Sequence, residues 1–579
     1  MLASGRVYEL ARSRVNGLNP LTREPANPQR KVSEMKKMNV KKSNEWLVAS
    51  EKSSGEWRVA RFFVMTVVFF LSSAFCSLFS ETAYANNLVI ENIALTDKDA
   101  DTNTYDIKFD IAWDNSWFIG GAPSASANWD AAWVFAKFSK SSDSGVTWSD
   151  WAHCTFLNTG NSAPASSQMS FGATASAYVG AFMYRASAGT GSVDWNNAEI
   201  RWAYGTDLVA DTDIVKIKVF GIEMVYIPQG SFYVGDGTVT TIQGQLEAGT
   251  TGAAFQITGE GALTLGGGGA GSLGNNNAAG MFTADDFNDA TSQTLPAAFP
   301  KGYNAFYIMK YEVSQGQYCN FLNTLTATQA GNRWATGTFN SYRYFIKKAD
   351  NGKFGCDANN NAGTDGSANW FLLNEAADGQ WVACNDLNWA DLRAYADWAG
   401  LRPFTELEYE KACRGAGQSA VANEYAWGNT TLESATSSLT NAGTISETPN
   451  QGNSNYIPSS PSNGPFRVGS YADSSSTRTN AGAGYYGGLD LSGSLWERPV
   501  SIGNSTGRAF TGGHGNGVLD ASGNADVTNW PGTGATGAGL RGGSWINGTA
   551  HARVSDRIYA AHVCSPRDTV SGARAARTP

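Results

Sequence analysis

The C-terminal part of the chain carries short motifs, and their order constrains the fold more than any other feature of the sequence. Gly493 to Glu497 reads GSLWE, Leu540 to Trp545 reads LRGGSW, and Gly572 to Arg577 reads GARAAR. A set of landmarks in a fixed order is more specific than any single motif. These three motifs are therefore the starting point for the fold prediction.

Four further motifs precede them: MVYIPQGSF at 224–232, FYIMKYEVS at 306–314, GLRPFTE at 400–406 and YAWGN at 425–429. In this order, the motifs resemble those of the formylglycine-generating enzyme (sulfatase-modifying factor) family over about residues 222–577. The resemblance implies an α+β fold, irregular and with a C-type-lectin-like core. Abundant glycine, 65 residues, and 19 tryptophans agree with a loop-rich, aromatic-packed domain.

The resemblance also bears on catalysis. The oxidases of the family carry one cysteine two residues after the aromatic residue of the RGGSW-type motif and a second five residues further on. This chain has Asn547 and Ala552 there. Thiolates suit copper(I), whereas an amide is a weak ligand and a methyl group is none. A non-catalytic protein without copper is predicted; the alternative is an oxidase that makes formylglycine from a protein cysteine, with Cys564 as one thiol.

Calcium is the second cofactor that the resemblance implies. The family binds calcium through an Asn and a Glu in the turn that corresponds to 493–497, and here these positions are Ser494 and Glu497. Calcium takes six to eight oxygen ligands, so a weaker donor at one position does not exclude a site. The alternative is that Glu497 pairs with Arg498 or another arginine.

The segment between the two last motifs predicts a binding surface. Its side chains are mixed in size and polarity and lack an amphipathic period, which is typical of a loop. Aromatic anchors beside adaptable polar groups make effective recognition surfaces for a protein or a glycan. The predicted ligand-binding residues are Trp545, Asn547, Thr549, His551, Tyr559 and His562.

The layout of this segment resembles the C-terminal variable regions of diversity-generating retroelement proteins, in which chosen positions vary within a fixed framework. Arg553 to Arg557 reads RVSDR, and an ion pair inside it could anchor the loops. The alternative is an ordinary exposed loop that binds nothing in particular.

Residues 86–220 predict a separate β-sandwich-like domain. Apolar residues from Tyr105 to Trp113 alternate with residues that are mostly charged, which is the period of a half-buried strand. Similar runs lie at 88–93, 133–138, 178–184, 198–204 and 214–220, separated by turn-forming residues. A second domain then spans 222–579, with a Gly-rich insert at 237–280 that is expected to be a flexible surface loop.

Three helices are predicted from their capping residues. Ser314 with Gln317, and Thr405 with Glu408, form capping boxes, and Asn388 can cap a helix that stops at Gly400.

The N-terminal 85 residues predict a basic lead and a secretion signal. Arg58 and Arg61 precede an apolar run at 62–79, and Ala83-Tyr84-Ala85 matches a cleavage site. The run is short for a stable membrane span. We therefore expect a bacterial protein that is secreted, periplasmic or at the cell surface, with no stable membrane span after processing; the alternative is an uncleaved anchor.

The net charge and the histidine spacing exclude two classes of function. The net charge is −9, and the mature part is more acidic still because basic residues concentrate before residue 62. An acidic protein repels phosphate backbones, so no nucleic-acid partner is expected. The four histidines lack the HExxH spacing of a zinc protease.

Overall fold

The computed structural model describes residues 87–120, 127–174, 177–237, 242–276, 280–435, 439–456, 463–473, 475–563 and 565–579. All of them belong to one compact unit, Cys76–Pro579. The predicted basic lead, apolar run and cleavage site lie outside the described residues. Within the described part, no helix is both long and apolar enough to cross a membrane.

Strands dominate the described residues. Their bounds are β1 Val89–Asp99, β2 Thr104–Ile119, β3 Asn128–Ser141, β4 Ala152–His153, β5 Ser167–Thr174, β6 Ala177–Arg185, β7 Gly189–Trp202, β8 Ile214–Ile227, β9 Phe232–Val234, β10 Leu246–Ala248, β11 Phe255–Ile257, β12 Leu263–Leu265, β13 Leu273–Asn275, β14 Gln293–Leu295, β15 Phe306–Met309, β16 Ile346–Lys348, β17 Phe354–Cys356 and β18 Ala576–Arg577.

The largest sheet connects both halves of the chain. Its main path has the order β1-β2-β3-β8-β15-β18, with β7 paired to β2, β4 and β6 to β3, and β5 to β6. Strand β8 pairs with β3 along most of its length and with β15 near its C-terminal end. The sheet therefore continues across the predicted boundary near residue 221, and the domain limits 86–220 and 222–579 stay predictions.

The predicted strands of the first region overlap observed strands, with residues 88, 203 and 204 outside them, and the alternation in β2 is confirmed from Ile107 onward but not at Tyr105 and Asp106. Ile107, Phe109, Ile111 and Trp113 are buried, while Lys108, Asp110 and Ala112 are partly exposed. One apolar cluster gathers these side chains with others from β1, β3, β6, β7 and β8. Since the strands form one branched sheet, the description as a β-sandwich stays a prediction.

Few helices accompany the strands, in agreement with the α+β class. They are α1 Gln315–Leu322, α2 Ala327–Arg333, α3 Trp389–Trp398, α4 Glu406–Arg414 and α5 Ser505–Arg508, with a 3-10 turn at Trp370–Leu372. The predicted caps are confirmed for α1, α3 and α4, each as a complete capping box. Thr326 and Gln329 form a fourth capping box, at α2, which the sequence analysis missed.

The Gly-rich insert is not a flexible loop over its described part, so that prediction is wrong. Strands β10, β13, β12 and β14 form a four-stranded sheet in this order. Leu246, Leu265 and Leu273 are buried in the large apolar core. The widely spaced leucines of the insert supply enough apolar surface to hold it against the domain.

Candidate functional site

The C-terminal loops lie on a buried charged framework that begins with the LRGGSW motif. The guanidinium of Arg541 is fully buried, and its Nη1 and Nη2 donate to Glu406 (2.9 Å) and Glu410 (2.6 Å) of α4. Gly543 has a φ of 73°, and a side chain there would meet the backbone of His551 and Ala552 at about 3.0 Å. The loop that starts at Ser544 therefore returns tightly onto the motif.

Arg557 is the second buried arginine of the framework. Its Nε donates to Glu406 at 2.7 Å and its Nη1 to Asp285 at 2.8 Å. Burial alone would lower the pKa of Arg557, but the carboxylates of Asp285 and Glu406 raise it above its ordinary value. The predicted ion pair within 553–557 is wrong for this arginine, because Arg557 pairs with residues distant in sequence.

Arg574, in the GARAAR motif, is the third buried arginine of the framework. Its Nε donates to Glu497 at 2.6 Å, and its Nη1 and Nη2 donate to the carbonyls of Met309 (2.8 Å) and Leu489 (2.7 Å). Burial raises the pKa of Glu497, while the Arg574 charge lowers it. The pairing of Glu497 with an arginine is therefore the arrangement found.

The second predicted calcium residue also has a partner. The hydroxyl of Ser494 donates to Glu312 at 2.9 Å, and the same carboxylate accepts the backbone N–H of Leu495 at 2.9 Å. As placed, Ser494 and Glu497 do not fit a calcium ion unless these contacts rearrange. No group of three or more His, Cys, Asp or Glu side chains among the described residues is arranged to hold a metal ion.

Trp545, which is predicted to contact a ligand, lies beneath the loops. It is 3% exposed, its Nε1 donates to the carbonyl of Thr569 at 3.1 Å, and its ring lies 5.2 Å from that of Tyr342. Asn547 is half-buried and accepts a hydrogen bond from Ser544 at 2.5 Å, while Thr549 is exposed.

The other three predicted ligand-binding residues come together. The ring of Tyr559 lies 6.2 Å from that of His551 and 5.4 Å from that of His562. Trp496 and Phe282 complete the group, at 5.3 Å and 5.2 Å from Tyr559. We call these five residues, Phe282, Trp496, His551, Tyr559 and His562, the aromatic–histidine patch.

Phe282 is the most exposed member of the patch. Its side chain is 65% exposed, and its N–H donates to the carbonyl of Ile558 at 2.8 Å, which fixes it beside the C-terminal loop. Ile546 and Val563 of the same loops are 44% and 45% exposed. The sequence analysis missed Phe282 and Trp496, because Phe282 is more than 250 residues from Tyr559 in the chain and no local pattern links them.

The electrostatics of the patch favour an uncharged surface. Burial lowers the pKa of His562, and the nearby Arg498 charge lowers it further. His562 is therefore neutral at pH 7. At the opposite end of the patch, His551 Nδ1 lies 3.6 Å from a carboxylate oxygen of Asp556.

The two positions that hold cysteines in the oxidases are occupied by groups of other chemistry. The amide of Asn547 bonds to Ser544, and the methyl group of Ala552 packs in an apolar cluster with Tyr409 and Val554. Cys564 lies outside the described residues. Among the described cysteines, Cys319 and Cys356 place their Sγ atoms 4.0 Å apart, in an apolar cluster different from that of Trp545.

The structure is similar to Treponema denticola variable protein 1 at 12% sequence identity and a TM-score of 0.27, covering 62% of this chain and 96% of the other. Likeness at that score supports no statement about fold or function. A search of curated proteins gives no match. The sequence pattern of the Sulfatase-modifying factor enzyme 1-like domain matches residues 277–579, which is just over half of the chain, and the chain therefore belongs to that family.

Proposed function

We propose that this protein is a non-catalytic member of its family that binds a protein or glycan through its C-terminal loops. The observation that carries the proposal is the aromatic–histidine patch, in which the exposed ring of Phe282 lies against two partly buried rings of the loops, those of Tyr559 and His562. Protein interfaces are enriched in aromatic anchors and depleted in charge at their centre. The exposed side chains of Phe282, Ile546 and Val563 favour a protein over a glycan as the ligand.

The proposal includes secretion to the periplasm, the medium or the cell surface of a bacterium, where such a surface would meet its partner. It also includes the display hypothesis, in which the loop residues differ between relatives while the buried arginines stay the same. The separation of the buried Arg541, Arg557 and Arg574 from the exposed loop side chains supports it.

Binding by matched variants tests the patch. Wild-type protein, Phe282→Ala and Phe371→Ala are immobilised and assayed for binding to a panel of cell-surface proteins and to a glycan array. Phe371 is 88% exposed and lies far from the patch in sequence, so its variant controls for the loss of any exposed phenylalanine. We expect Phe282→Ala to weaken binding on the order of tenfold or more and Phe371→Ala to leave it unchanged.

Equal binding by both variants would remove the patch from the interface. A glycan as the sole ligand, with the same dependence on Phe282, would keep the surface and change the class of its ligand.

The oxidase is the competing function. We expect no aldehyde to form when the purified protein is incubated with copper(I) and a peptide containing Cys-x-Pro-x-Arg. The reason for this expectation is that the amide and methyl groups at 547 and 552 cannot act as thiolates. Tight copper binding together with aldehyde formation would replace the binding proposal.

Calcium at Ser494 and Glu497 remains a separate proposal. For calcium to bind, Glu497 has to leave Arg574 and Ser494 has to leave Glu312. Calorimetric titration of the wild type and of Glu497→Gln with calcium tests this proposal. A heat of calcium binding that is present in the wild type and absent in the variant would support the site.

A further inference from the structure

A second region of the molecule, remote in sequence from the C-terminal loops, has the features of a ligand site. On the large sheet, Phe118 of β2 pairs with Trp129 of β3, and Tyr226 of β8 pairs with Tyr307 of β15. Directly paired residues point to the same face of a sheet. Strands β3 and β8 are themselves neighbours, so four aromatic side chains form one row across four strands.

The rings in this row stack on each other. Trp129 is nearly parallel to Tyr226 at a centroid distance of 3.8 Å and to Phe118 at 5.0 Å. Tyr184 of β6 stacks on Trp129 at 5.6 Å, and Tyr307 accepts a hydrogen bond from the indole N–H of Trp129 at 3.0 Å. Stacked rings cover each other's faces, so a molecule beside the row meets mainly ring edges.

A cleft of about 720 Å³ opens beside the row. The five rings form its wall, the side chains of Gln168, Ser170 and Ser187 supply polar groups, and Pro579 lies at its border. This volume and this mixture of aromatic wall and few polar groups are typical of small-molecule sites. The wall draws on β2, β3, β6, β8 and β15, so both predicted regions of the chain are needed to build it.

Two tyrosine hydroxyls of the wall have no partner among the described residues. The structure shows ring contacts for Tyr184 and Tyr226 but no hydrogen bond for either hydroxyl. Burial raises the pKa of both groups, so they are neutral donors at pH 7. Both hydroxyls lie in the wall of the cleft, so a ligand with a polar substituent can accept a hydrogen bond from them.

The charge of the cleft restricts the ligand further. Of the described residues that line it, none carries a charged side chain. An anionic ligand would lose its hydration without gaining an opposite charge, and the positive ring edges of the wall disfavour a cation. The positive edges of the aromatic rings instead favour the face of another aromatic ring, in an edge-to-face arrangement.

We propose that this cleft binds an uncharged aromatic molecule of one or two rings that carries a hydroxyl or carbonyl group. The ring contacts the edges of Trp129 and Tyr226, and its polar substituent bonds to the tyrosine hydroxyls and the serine rim. This site is independent of the aromatic–histidine patch and of the function proposed for it.

Calorimetric titration of the full-length protein with 2-naphthol, indole and methyl glucoside tests the assignment. We expect 2-naphthol to bind more tightly than indole, which has no hydroxyl or carbonyl group, and the glycoside not to bind. Tyr184→Phe should reduce the preference for 2-naphthol severalfold, since it removes one hydroxyl and keeps the ring.

Two variants fill the cleft from its rim. Ser170→Phe on β5 and Ser187→Trp, at an exposed position, should each weaken 2-naphthol binding at least tenfold, and the second variant covers the case in which the first disturbs the strand. Phe282→Ala in the aromatic–histidine patch is the control and should bind 2-naphthol normally. Absence of 2-naphthol binding to the wild type, unchanged binding by both rim variants, or preference for the glycoside would each overturn the proposal.

Discussion

Two neighbouring regions of the C-terminal segment contrast in nearly every physical respect. The guanidinium groups of Arg541, Arg557 and Arg574 are fully buried and paired with carboxylates. Only a few residues away, Ile546, Thr549 and Val563 face solvent. The difference shows that buried, paired residues and solvent-facing residues alternate along one stretch of chain, which agrees with the proposed division between stability and recognition.

The contrast has a structural cause. Between residues 509 and 575 the described chain forms no helix or strand, so its backbone carbonyls need partners outside a regular ladder. Arginine offers five N–H donors in a fixed geometry. Arg541 donates to the carbonyl of Val554 within this segment and to two carboxylates, whereas Arg574 donates to two carbonyls outside the segment and to one carboxylate. The buried arginines thus tie the irregular segment to the rest of the domain.

The largest expected effect comes from breaking the framework at Arg557. Arg557→Met leaves the buried carboxylate of Asp285 without its arginine partner and removes one of the two arginines that pair with Glu406. Removal of one member of a buried ion pair costs about 3–5 kcal/mol. We expect a loss of this size in the free energy of unfolding, measured by urea denaturation.

Arg553→Met is the matched control for that experiment. Arg553 is half-buried in the same loop, and the structure shows no ion pair between it and a described carboxylate. Its replacement should cost much less. Similar losses for Arg553 and Arg557 would mean that the buried pairs do not set the stability of this segment.

The next largest expected effect is a pH dependence of the free energy of unfolding, which arises where helix α3 contacts a loop. Asp397 of α3 accepts the backbone N–H groups of Asn516 (2.9 Å) and Asp526 (3.1 Å). Burial raises the pKa of Asp397 from 3.8 to about 7, although these N–H groups act in the opposite direction. The folded protein therefore holds this proton more tightly than the unfolded chain does.

The sign of the effect follows from that difference. The stabilisation by protonated Asp397 is fully present below about pH 4 and is lost as the pH rises through about 7. The free energy of unfolding of the wild type should fall over this interval relative to that of Asp397→Asn. Denaturation at a series of pH values measures it, and identical pH dependence in both proteins would show that Asp397 is not the titrating group.

The framework could be predicted only in part from the sequence. The capping boxes at Ser314 and Thr405 depend on residues three positions apart, so local pattern was sufficient. The partners of Arg557 are more than 150 residues away. Nothing in the RVSDR segment distinguishes an arginine that pairs locally from one that reaches α4.

The same limit applies to the binding surface. Of the predicted ligand-binding residues, His551, Tyr559 and His562 lie together and Trp545 lies buried beneath them, and their role in binding stays a prediction. An aromatic residue in an irregular segment gives no period that indicates which way it points. Phe282 was missed because its place beside Ile558 depends on contact between segments that are far apart in the sequence.

The smallest expected effects are those on the exposed loop residues, and they sharpen the contrast with the framework most directly. Thr549→Ala and Val563→Ser change side chains that face solvent, so each should alter the free energy of unfolding by no more than about 0.5 kcal/mol. Trp545→Ala, in the same segment, removes a side chain that is 3% exposed and should cost about 3–5 kcal/mol. Urea denaturation of the three variants compares them under one set of conditions. If the variants at the exposed positions lost as much free energy of unfolding as Trp545→Ala, the loops would be part of the core. The hypothesis that the loop residues can vary without loss of stability would then be wrong.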